Sequence, residues 1–191
     1  MQAIRRPART LPPVRIATPW DASPERVVQA WFERVLAERM QGLPFLNPAL
    51  SVLAFDFRRE DGDWLGGLVT PWSVQLMLLP GGGRLWCDTP AGERSGVALP
   101  VGTLPFIADE GDTRLPAFQY FPLLNTVTAL ADDEAARELV RDALRTACLP
   151  PPGAEPMPAE APTAQPTVDP GRRRFLGFGG GTRPRVAGGD R

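Results

Sequence analysis

The segment that decides the fold is residues 64–80, which reads WLGGLVTPWSVQLMLLP. Its beginning, residues 64–68, and its end, residues 74–79, are short apolar runs of the kind that form buried strands. Residues 70–73 (TPWS) interrupt this pattern, because proline cannot donate a hydrogen bond to a neighbouring strand. Residues 80–83 (PGGG) then predict a turn. The segment therefore predicts two strands.

A further strand is predicted before this segment, in residues 50–58. Its alternating pattern places Leu53, Phe55 and Phe57 on a common side. Residues 60–63 (EDGD) contain the Asp-Gly pair of tight turns and predict a hairpin into the segment above. We interpret the three carboxylates of this turn as turn chemistry, in preference to an acid–base pair or a divalent-cation site.

More strands are predicted after the glycine-rich turn. Residues 84–88 and parts of residues 97–108 have the length and the apolar content of strands. Together with the earlier runs they predict a mainly antiparallel sheet of about four to five strands.

Two amphipathic helices flank these strands. The first is expected to begin at Pro24, with Ser23 accepting hydrogen bonds from its first turn, and to end at Gly42. The second is expected from about Asp133 to Cys148. A helix, a run of strands and a second helix describe an α+β fold. We expect a two-layer sandwich with both main helices on one face of the sheet.

The two ends of the chain differ in composition from its middle. Residues 1–20 are rich in arginine and proline without periodicity, and they predict a flexible N-terminal arm. Residues 21–149 contain all the predicted helices and strands and form the expected α+β domain. Residues 150–170 are mostly Pro, Ala, Thr and Glu, as is typical of a linker, and residues 171–191 form an arginine- and glycine-rich tail. We expect this C-terminal part to be disordered.

The composition excludes several classes of function. The chain has no histidine, which removes the commonest general base near neutral pH and the commonest metal ligand. Its formal net charge is −1 at pH 7, so no overall field attracts nucleic acid or anionic lipid. No apolar run reaches the ~18 residues of a membrane span, and no apolar signal core follows the N-terminus. We expect a cytoplasmic protein that is not inserted into a membrane.

Two cysteines, Cys87 and Cys148, lie far apart in the sequence, and neither belongs to a Cys-x-x-Cys pair. The sequence therefore predicts no metal site, no catalytic residue and no cofactor. Both thiols are expected to be reduced in the cytoplasm. Cys87 is expected to be a buried, inert thiol in a strand, and Cys148 to lie on or beside the apolar stripe of the second helix.

Six residues are candidates for contact with a partner protein. Tryptophan is common at binding hot spots and proline leaves strand amides free, so residues 70–73 can form a surface platform. In the alternative, Trp72 belongs to the core and Pro71 marks a bulge. Asn47 either pins a turn or contacts a partner. The candidate partner-binding residues are Asn47, Pro48, Thr70, Pro71, Trp72 and Gln75.

These features resemble those of a known family, in the same order. Residues 34–40 of the first helix, residues 43–50 (LPFLNPAL), residues 64–80 and residues 118–130 are similar to the HybE/HupJ-type chaperones of NiFe-hydrogenase maturation. The resemblance is most specific in residues 64–80, because tryptophans and prolines at fixed places within strands rarely match by chance.

What the resemblance implies is a cytoplasmic accessory protein that binds hydrogenase precursor and proofreads it before twin-arginine export, without joining the finished enzyme. It covers about residues 25–149. The chain departs from the simplest members in its N-terminal arm and its C-terminal extension, and we expect the family to say little about those parts.

The tail contains one motif of its own. Residues 171–177 (GRRRFLG) are similar to the twin-arginine signal pattern Ser-Arg-Arg-x-Phe-Leu-Lys, with Arg172, Arg173, Phe175 and Leu176 in register. The motif is not an export signal, because it is C-terminal and no apolar core follows it. We hypothesise that it mimics a client's signal peptide at a site on this protein or on a partner. The alternative is an unspecific arginine-rich tail.

The leading interpretation of the whole sequence is a non-catalytic assembly chaperone. Its expected partners are the small and/or large subunit precursor of a hydrogenase and other maturation chaperones. One alternative is a nucleic-acid-binding adaptor, in which both tails contact phosphate, although we expect no nucleic-acid partner. The other is a small enzyme that uses carboxylates or Cys87, which the lack of histidine makes weak.

Overall fold

A computed structural model describes residues 16–124 and 126–150. It consists of a helix, six strands and a second helix, and a short π-helical turn extends the first helix. None of the helices in these residues has the length and apolar character needed to cross a membrane. The elements are α1 (Glu25–Val35), the π-helical turn (Leu36–Met40), β1 (Leu53–Glu60), β2 (Asp63–Thr70), β3 (Ser73–Leu79), β4 (Arg94–Leu99), β5 (Gly102–Gly111), β6 (Pro116–Pro122) and α2 (Asp133–Ala147).

The strands form one antiparallel sheet in the order β1-β2-β3-β6-β5-β4. The predicted α+β class, with a mainly antiparallel sheet and two main helices, is confirmed. The sheet has six strands and not about four to five, because the pattern of β6, with a proline at each end, does not predict a strand. Residues 84–88, by contrast, were expected to be extended in the sheet and are irregular.

The two helices lie on opposite faces of the sheet, which corrects the expectation of a two-layer sandwich with both helices on one face. The physical reason is that β2 is buried at every position. Successive side chains of a strand point to opposite faces, so each face of β2 needs its own cover. The core beside α1 contains Val28, Phe32, Leu68, Met77 and Phe118. The core beside α2 contains Leu65, Val69, Leu76, Val140 and Leu144.

A β-bulge in β1 supplies a phenylalanine to each core. Asp56 and Phe57 together oppose the single residue Gly66, and Asp56 has the left-handed φ of 56°. Phe55 therefore packs in the core beside α2, whereas Phe57 packs in the core beside α1. The expectation that Leu53, Phe55 and Phe57 share one side is wrong for Phe57, because simple alternation does not hold across a bulge.

Two glycines of β2 allow both covers to approach closely. A Cβ atom at Gly66 would overlap the ring of Phe57, and a Cβ atom at Gly67 would overlap Val140 of α2. Because neither residue has a side chain, the ring and the helix contact the backbone of β2 from its two sides.

A buried carboxylate organises the connection from β3 to β4. Asp63 is fully buried at the start of β2. Its Oδ1 accepts hydrogen bonds from the N–H groups of Gly81 (2.7 Å) and Gly83 (3.0 Å). Its Oδ2 accepts from those of Leu85 and Trp86, both at 2.9 Å. These four charge-assisted bonds take the place of the strand pairing predicted for this region.

The chain that precedes α1 contacts the sheet domain. The backbone N–H of Trp20 donates to the carbonyl oxygen of Pro80 (2.8 Å), and the Trp64 indole N–H donates to the carbonyl oxygen of Trp20 (2.8 Å). Trp20 belongs to the end of the predicted N-terminal arm. Residues 1–15 of that arm lie outside the described residues, as do residues 151–191, which contain most of the predicted linker and the whole predicted tail.

The close approach of α2 to β2 can be tested with Gly67→Ala. We expect this variant to lower the free energy of unfolding by about 3 kcal/mol, because the added methyl group overlaps Val140. The Gly67→Ala/Val140→Ala double variant restores the space. Its loss in the free energy of unfolding, measured with urea, should therefore be smaller than the sum of the losses of the two single variants by about 1 kcal/mol or more. Gly96→Ala, at an exposed position of β4, is the control: its methyl group would lie 3.0 Å from Cγ2 of Thr103, an exposed side chain that can rotate away, so the free energy should change by less than about 1 kcal/mol. Additive losses would contradict the packing described here.

The contribution of the buried carboxylate can be tested with Asp63→Asn. The amide removes one of the two acceptor oxygens and leaves two backbone N–H groups without a partner, so we expect a loss of about 3 kcal/mol in the free energy of unfolding. Asp61→Asn is the matched control, since the Asp61 side chain forms an exposed ion pair with Arg84 at 3.3 Å and asparagine tolerates the left-handed backbone at this position. It should cost less than about 1 kcal/mol. Equal losses in the two variants would show that the four hydrogen bonds do not matter.

Candidate functional site

The turn between β2 and β3 shapes the candidate site. Pro71 and Trp72 form the turn, and Thr70 pairs with Ser73 across it. The Thr70 hydroxyl oxygen accepts hydrogen bonds from the N–H groups of Ser73 (2.9 Å) and Trp72 (3.4 Å). Because Thr70 is fully buried, these bonds hold the turn, and with it Trp72, in one position.

Asn47 connects this turn to two other segments. Its backbone N–H donates to the carbonyl oxygen of Pro71 (2.8 Å). Its side-chain amide donates to the carbonyl oxygens of Val127 (2.9 Å) and Leu130 (2.8 Å), and its Oδ1 accepts from the N–H of Ala49 (3.0 Å). Asn47 is buried. All these bonds agree with the first interpretation of Asn47 from the sequence, that it pins a turn.

An open groove of aromatic side chains lies next to the turn, on the face of the sheet covered by α1. Phe32 and Phe118 are buried and form its floor, with ring centroids 6.0 Å apart. Trp31, Trp72 and Tyr120 are partly exposed and form its walls. These rings come from α1, the β2–β3 turn and β6, and they enclose about 270 Å³. We call this feature the aromatic groove.

One carboxylate borders the aromatic groove. Asp109 of β5 lines it, and its Oδ1 accepts a hydrogen bond from the N–H of Gly111 (2.8 Å). Burial raises the pKa of the Tyr120 hydroxyl, and the negative charge of Asp109 raises this pKa further. The phenol of Tyr120 therefore stays neutral at physiological pH beside an acidic group.

An ion pair lies on the other side of Trp31, outside the aromatic groove. Arg34 of α1 donates to Asp112 at 2.9 Å. The backbone N–H groups of Leu115 and Arg114 lower the pKa of Asp112 to about 2. Asp112 is thus ionised at neutral pH and offsets the charge of Arg34.

Of the six predicted partner-binding residues, Trp72 and Gln75 line the aromatic groove, and the other four lie in the adjacent turn or in the loop that is hydrogen-bonded to it. Trp72 packs on Phe32, with ring centroids 6.4 Å apart, yet part of its surface is exposed. Both interpretations of Trp72 from the sequence, a core residue and part of a surface platform, therefore apply in part. Pro48 is exposed on the loop that carries Asn47. A part for these residues in partner binding stays a prediction. Those that are buried are Asn47, Thr70, Pro71 and Gln75, of which Gln75 also lines the groove.

Sequence reasoning did not identify the remaining groove residues. The helical stripe of α1 predicts a buried face for Trp31 but gives no sign of a groove beside it. Phe118 and Tyr120 alternate in β6, a strand that the sequence pattern does not predict. Asp109 reaches the groove only because β6 joins β5 to β3. The signal for these positions is thus in the strand order and not in any local motif.

A second groove, almost entirely apolar, lies on the opposite face beside α2. It encloses about 330 Å³. Its partly buried hydrophobic side chains include Leu104, Phe121, Leu139 and Ala143. None of the six predicted residues lines it.

The two cysteines differ from each other in exposure. Cys87 is exposed and lies in an irregular segment, so the expectation of a buried thiol in a strand is wrong. The reason is that the segment follows the hydrogen bonds of Asp63 and leaves the sheet. Cys148 is partly buried next to the core beside α2, as expected. Burial raises the pKa of its thiol.

In residues 16–124 and 126–150, no group of three or more His, Cys, Asp or Glu side chains could hold a metal ion. The twin-arginine-like motif, with Arg172, Arg173, Phe175 and Leu176, lies outside the described residues.

The aromatic groove and the sheet that carries it occur within a region that matches a known family model. Residues 23–178 match the model described as NiFe-hydrogenase assembly, chaperone, HybE. The chain belongs to the HybE family of NiFe-hydrogenase assembly chaperones. The resemblance read from the sequence is thereby confirmed.

Individual relatives agree with this assignment. Hydrogenase-2 operon protein HybE of Escherichia coli strain K12 is 30% identical over 160 residues, which cover 84% of this chain and 91% of that protein. Protein HoxT of Cupriavidus necator is 32% identical over 172 residues, covering 81% and 86% of the two chains. The solution structure of HybE from E. coli matches with a TM-score of 0.56 and 28% identity, over 87% of this chain and 96% of that one.

The family match extends further than the resemblance suggested. It ends at residue 178 and so includes the twin-arginine-like motif, which corrects the expectation that the HybE family says little about the C-terminal extension. Residues 1–22, which include the whole predicted N-terminal arm (residues 1–20), lie outside the match.

The different environments of the two thiols lead to a test by chemical labelling. Cys87 should react with a disulfide reagent at pH 7.5 at least about tenfold faster than Cys148, because Cys87 is exposed and a raised pKa leaves less thiolate at Cys148. Raising the pH until both thiols are ionised should narrow this difference, since the raised pKa then no longer limits the reaction of Cys148. Mass spectrometry of the Cys87→Ser and Cys148→Ser variants shows which thiol gives the fast phase of labelling and which gives the slow phase. Equal rates at pH 7.5 would contradict the described burial.

Proposed function

We propose that this HybE-family chain acts without catalysis, by holding a hydrogenase precursor subunit against the aromatic groove. The observation that carries the proposal is that three large rings, those of Trp31, Trp72 and Tyr120, remain partly exposed side by side. Aromatic side chains that are half exposed around a depression are typical of binding hot spots.

The rigidity of the aromatic groove supports this role. Phe32 and Phe118 fix the floor, and the hydrogen bonds of Thr70 and Asn47 hold the turn that carries Trp72. A preformed groove loses little conformational entropy when a partner binds, so more of the contact energy becomes affinity. Of the six predicted partner-binding residues, we propose that Trp72 and Gln75 touch the client, that Pro48 lies near it, and that the other three support the turn.

The clients proposed for the groove are the small and/or large subunit precursor of a NiFe hydrogenase, and other maturation chaperones are further partners. Membership of a hydrogenase assembly family supports this choice. Proofreading before twin-arginine export, in the cytoplasm, is the stage at which we place the chain. No cofactor is part of the proposal.

The absence of histidine supports a non-catalytic role, since the chain lacks the commonest general base near neutral pH. Asp109 and Tyr120 are the titratable groups in the aromatic groove, and burial and charge leave Tyr120 a neutral phenol. No observation favours the nucleic-acid adaptor or the carboxylate- or Cys-dependent enzyme.

Co-purification tests the proposal. Tagged full-length chain, produced together with the hydrogenase subunits, should recover precursor of the small or the large subunit. Trp72→Leu should reduce this recovery about tenfold or more, because a central aromatic residue contributes about 2 kcal/mol or more to a protein interface.

Phe121→Leu is the matched control, because Phe121 is also a partly buried aromatic residue but lies in the second groove. It should leave recovery within about twofold. Thermal unfolding of both variants checks that neither loses the fold. Recovery that is unaffected by Trp72→Leu, or that is lost with Phe121→Leu alone, would show that the aromatic groove is not the client site.

A further inference from the structure

The aromatic groove combines two kinds of group that attract a cation. The partly exposed rings of Trp31, Trp72 and Tyr120 present negative π faces. Asp109 adds a carboxylate, and of its two oxygens Oδ1 is bonded to Gly111. Its Oδ2 receives no hydrogen bond or ion pair from the residues that the structure describes.

Arginines of the chain itself lie over two other rings, those of Trp64 and Phe55, both of which are largely buried. Arg59 lies over the ring of Trp64, 4.4 Å from the centroid. Arg137 lies 5.1 Å from the ring centroid of Phe55, and Arg141 lies 5.9 Å from it. Within residues 16–124 and 126–150, no cation lies in this way over a wall of the aromatic groove. The walls of the groove thus remain open to a cation from another molecule, with the carboxylate of Asp109 beside them.

We propose that the aromatic groove binds the guanidinium group of an arginine in an extended segment of the client protein. The guanidinium plane stacks on the walls, and its N–H groups donate to Oδ2 of Asp109. This inference deepens the proposed function, on which it rests, by naming the side chain that the client presents.

Arginine fits the aromatic groove better than lysine for two reasons. A planar, weakly hydrated guanidinium stacks on aromatic rings, whereas an ammonium is a compact and strongly hydrated charge. A guanidinium can also stack on a ring and donate to a carboxylate at the same time, as its fixed fork of donors allows.

The arginines nearest to the aromatic groove do not prevent this binding. Arg34 lies beyond Trp31 and is paired with Asp112 at 2.9 Å. Arg26 and Arg114 line the same outer depression, on the far side of the Trp31 ring. Among the residues that line the groove itself, the charged one is Asp109.

Peptide binding to the full-length chain tests the proposal. The probe is a short blocked peptide that contains Arg-Arg-Phe-Leu, and its controls replace both arginines by citrulline or by lysine. Citrulline has nearly the shape of arginine but no charge. We expect binding to quench the tryptophan fluorescence, with the citrulline peptide at least about tenfold weaker and the lysine peptide about threefold weaker than the arginine peptide. A further probe is a single arginine with blocked ends. We expect it to bind at least about a hundredfold more weakly than the arginine peptide, because it lacks the rest of the segment.

The Asp109→Asn variant tests whether the preference for the arginine peptide over the citrulline peptide depends on this carboxylate. It keeps an oxygen for the Gly111 N–H, so the fold should be retained, and it should weaken the arginine peptide about tenfold while leaving the citrulline peptide unchanged. Glu110→Gln removes the same charge from the neighbouring, exposed residue and should change neither affinity by more than about twofold. Equal affinities for the arginine and citrulline peptides, equal effects of the two variants, or no measurable binding would overturn the proposal.

This outcome is separable from that of the proposed function. In one outcome, Trp72→Leu abolishes recovery of hydrogenase precursor, Asp109→Asn does not, and the arginine and citrulline peptides bind with equal affinity. The groove then holds the client without recognising an arginine. If arginine-peptide binding depends on Asp109 but Trp72→Leu leaves precursor recovery intact, the guanidinium site stands and the client site lies elsewhere.

Discussion

The constraint on which the structure depends is that β2 is buried on both of its faces. A strand in this position cannot alternate between core and solvent, so the chain must provide two separate covers. Gly66 and Gly67 permit this, because the absence of their side chains lets Phe57 approach from one side and Val140 from the other. The bulge at Asp56 is the complementary device in the neighbouring strand, since it turns adjacent phenylalanines toward different cores. The two helices are then free to take different tasks. α2 closes one core, while α1 both covers the other and contributes Trp31 to the aromatic groove.

The aromatic groove is a product of strand order. β6 returns between β3 and β5, which places Tyr120 opposite Met77 and brings Asp109 to the same region as Trp72. The hydrogen bonds of Thr70 and Asn47 then hold the turn from several directions. A buried hydroxyl group and a buried amide group, both neutral, thus hold one side of the groove, and the carboxylate of Asp109 lies on the other. The result is a site whose shape comes from a rigid framework and whose charge comes from a single side chain.

Much of this architecture could be predicted from sequence where the signal is local. The hairpin at residues 60–63, the strands on both sides of the Pro71 turn and the second helix follow from turn chemistry and periodicity, and Asp132 caps that helix with a bond to the N–H of Ala135 (2.9 Å). The predictions that were wrong concern positions whose structure depends on contacts between residues distant in sequence. A left-handed φ at Asp56 has no sequence signature there, so Phe57 appeared to share a side with Phe55. The strand predicted at residues 84–88 gave way to the bonds of Asp63, a residue that reads as ordinary turn chemistry. The groove itself needs the pairing of β3 with β6, which local patterns do not encode.

The bulge in β1 also affects one edge of the sheet. β1 is an edge strand of the sheet, and a regular edge offers unpaired backbone groups on which another chain can add. The bulge at Asp56 breaks the regular spacing of those groups, because two residues of β1 there oppose one residue of β2. Arg59, further along the strand, is engaged within the chain, over the ring of Trp64 and in hydrogen bonds to backbone carbonyl groups. The β1 edge is therefore a poorer template for the addition of a strand than a regular edge would be.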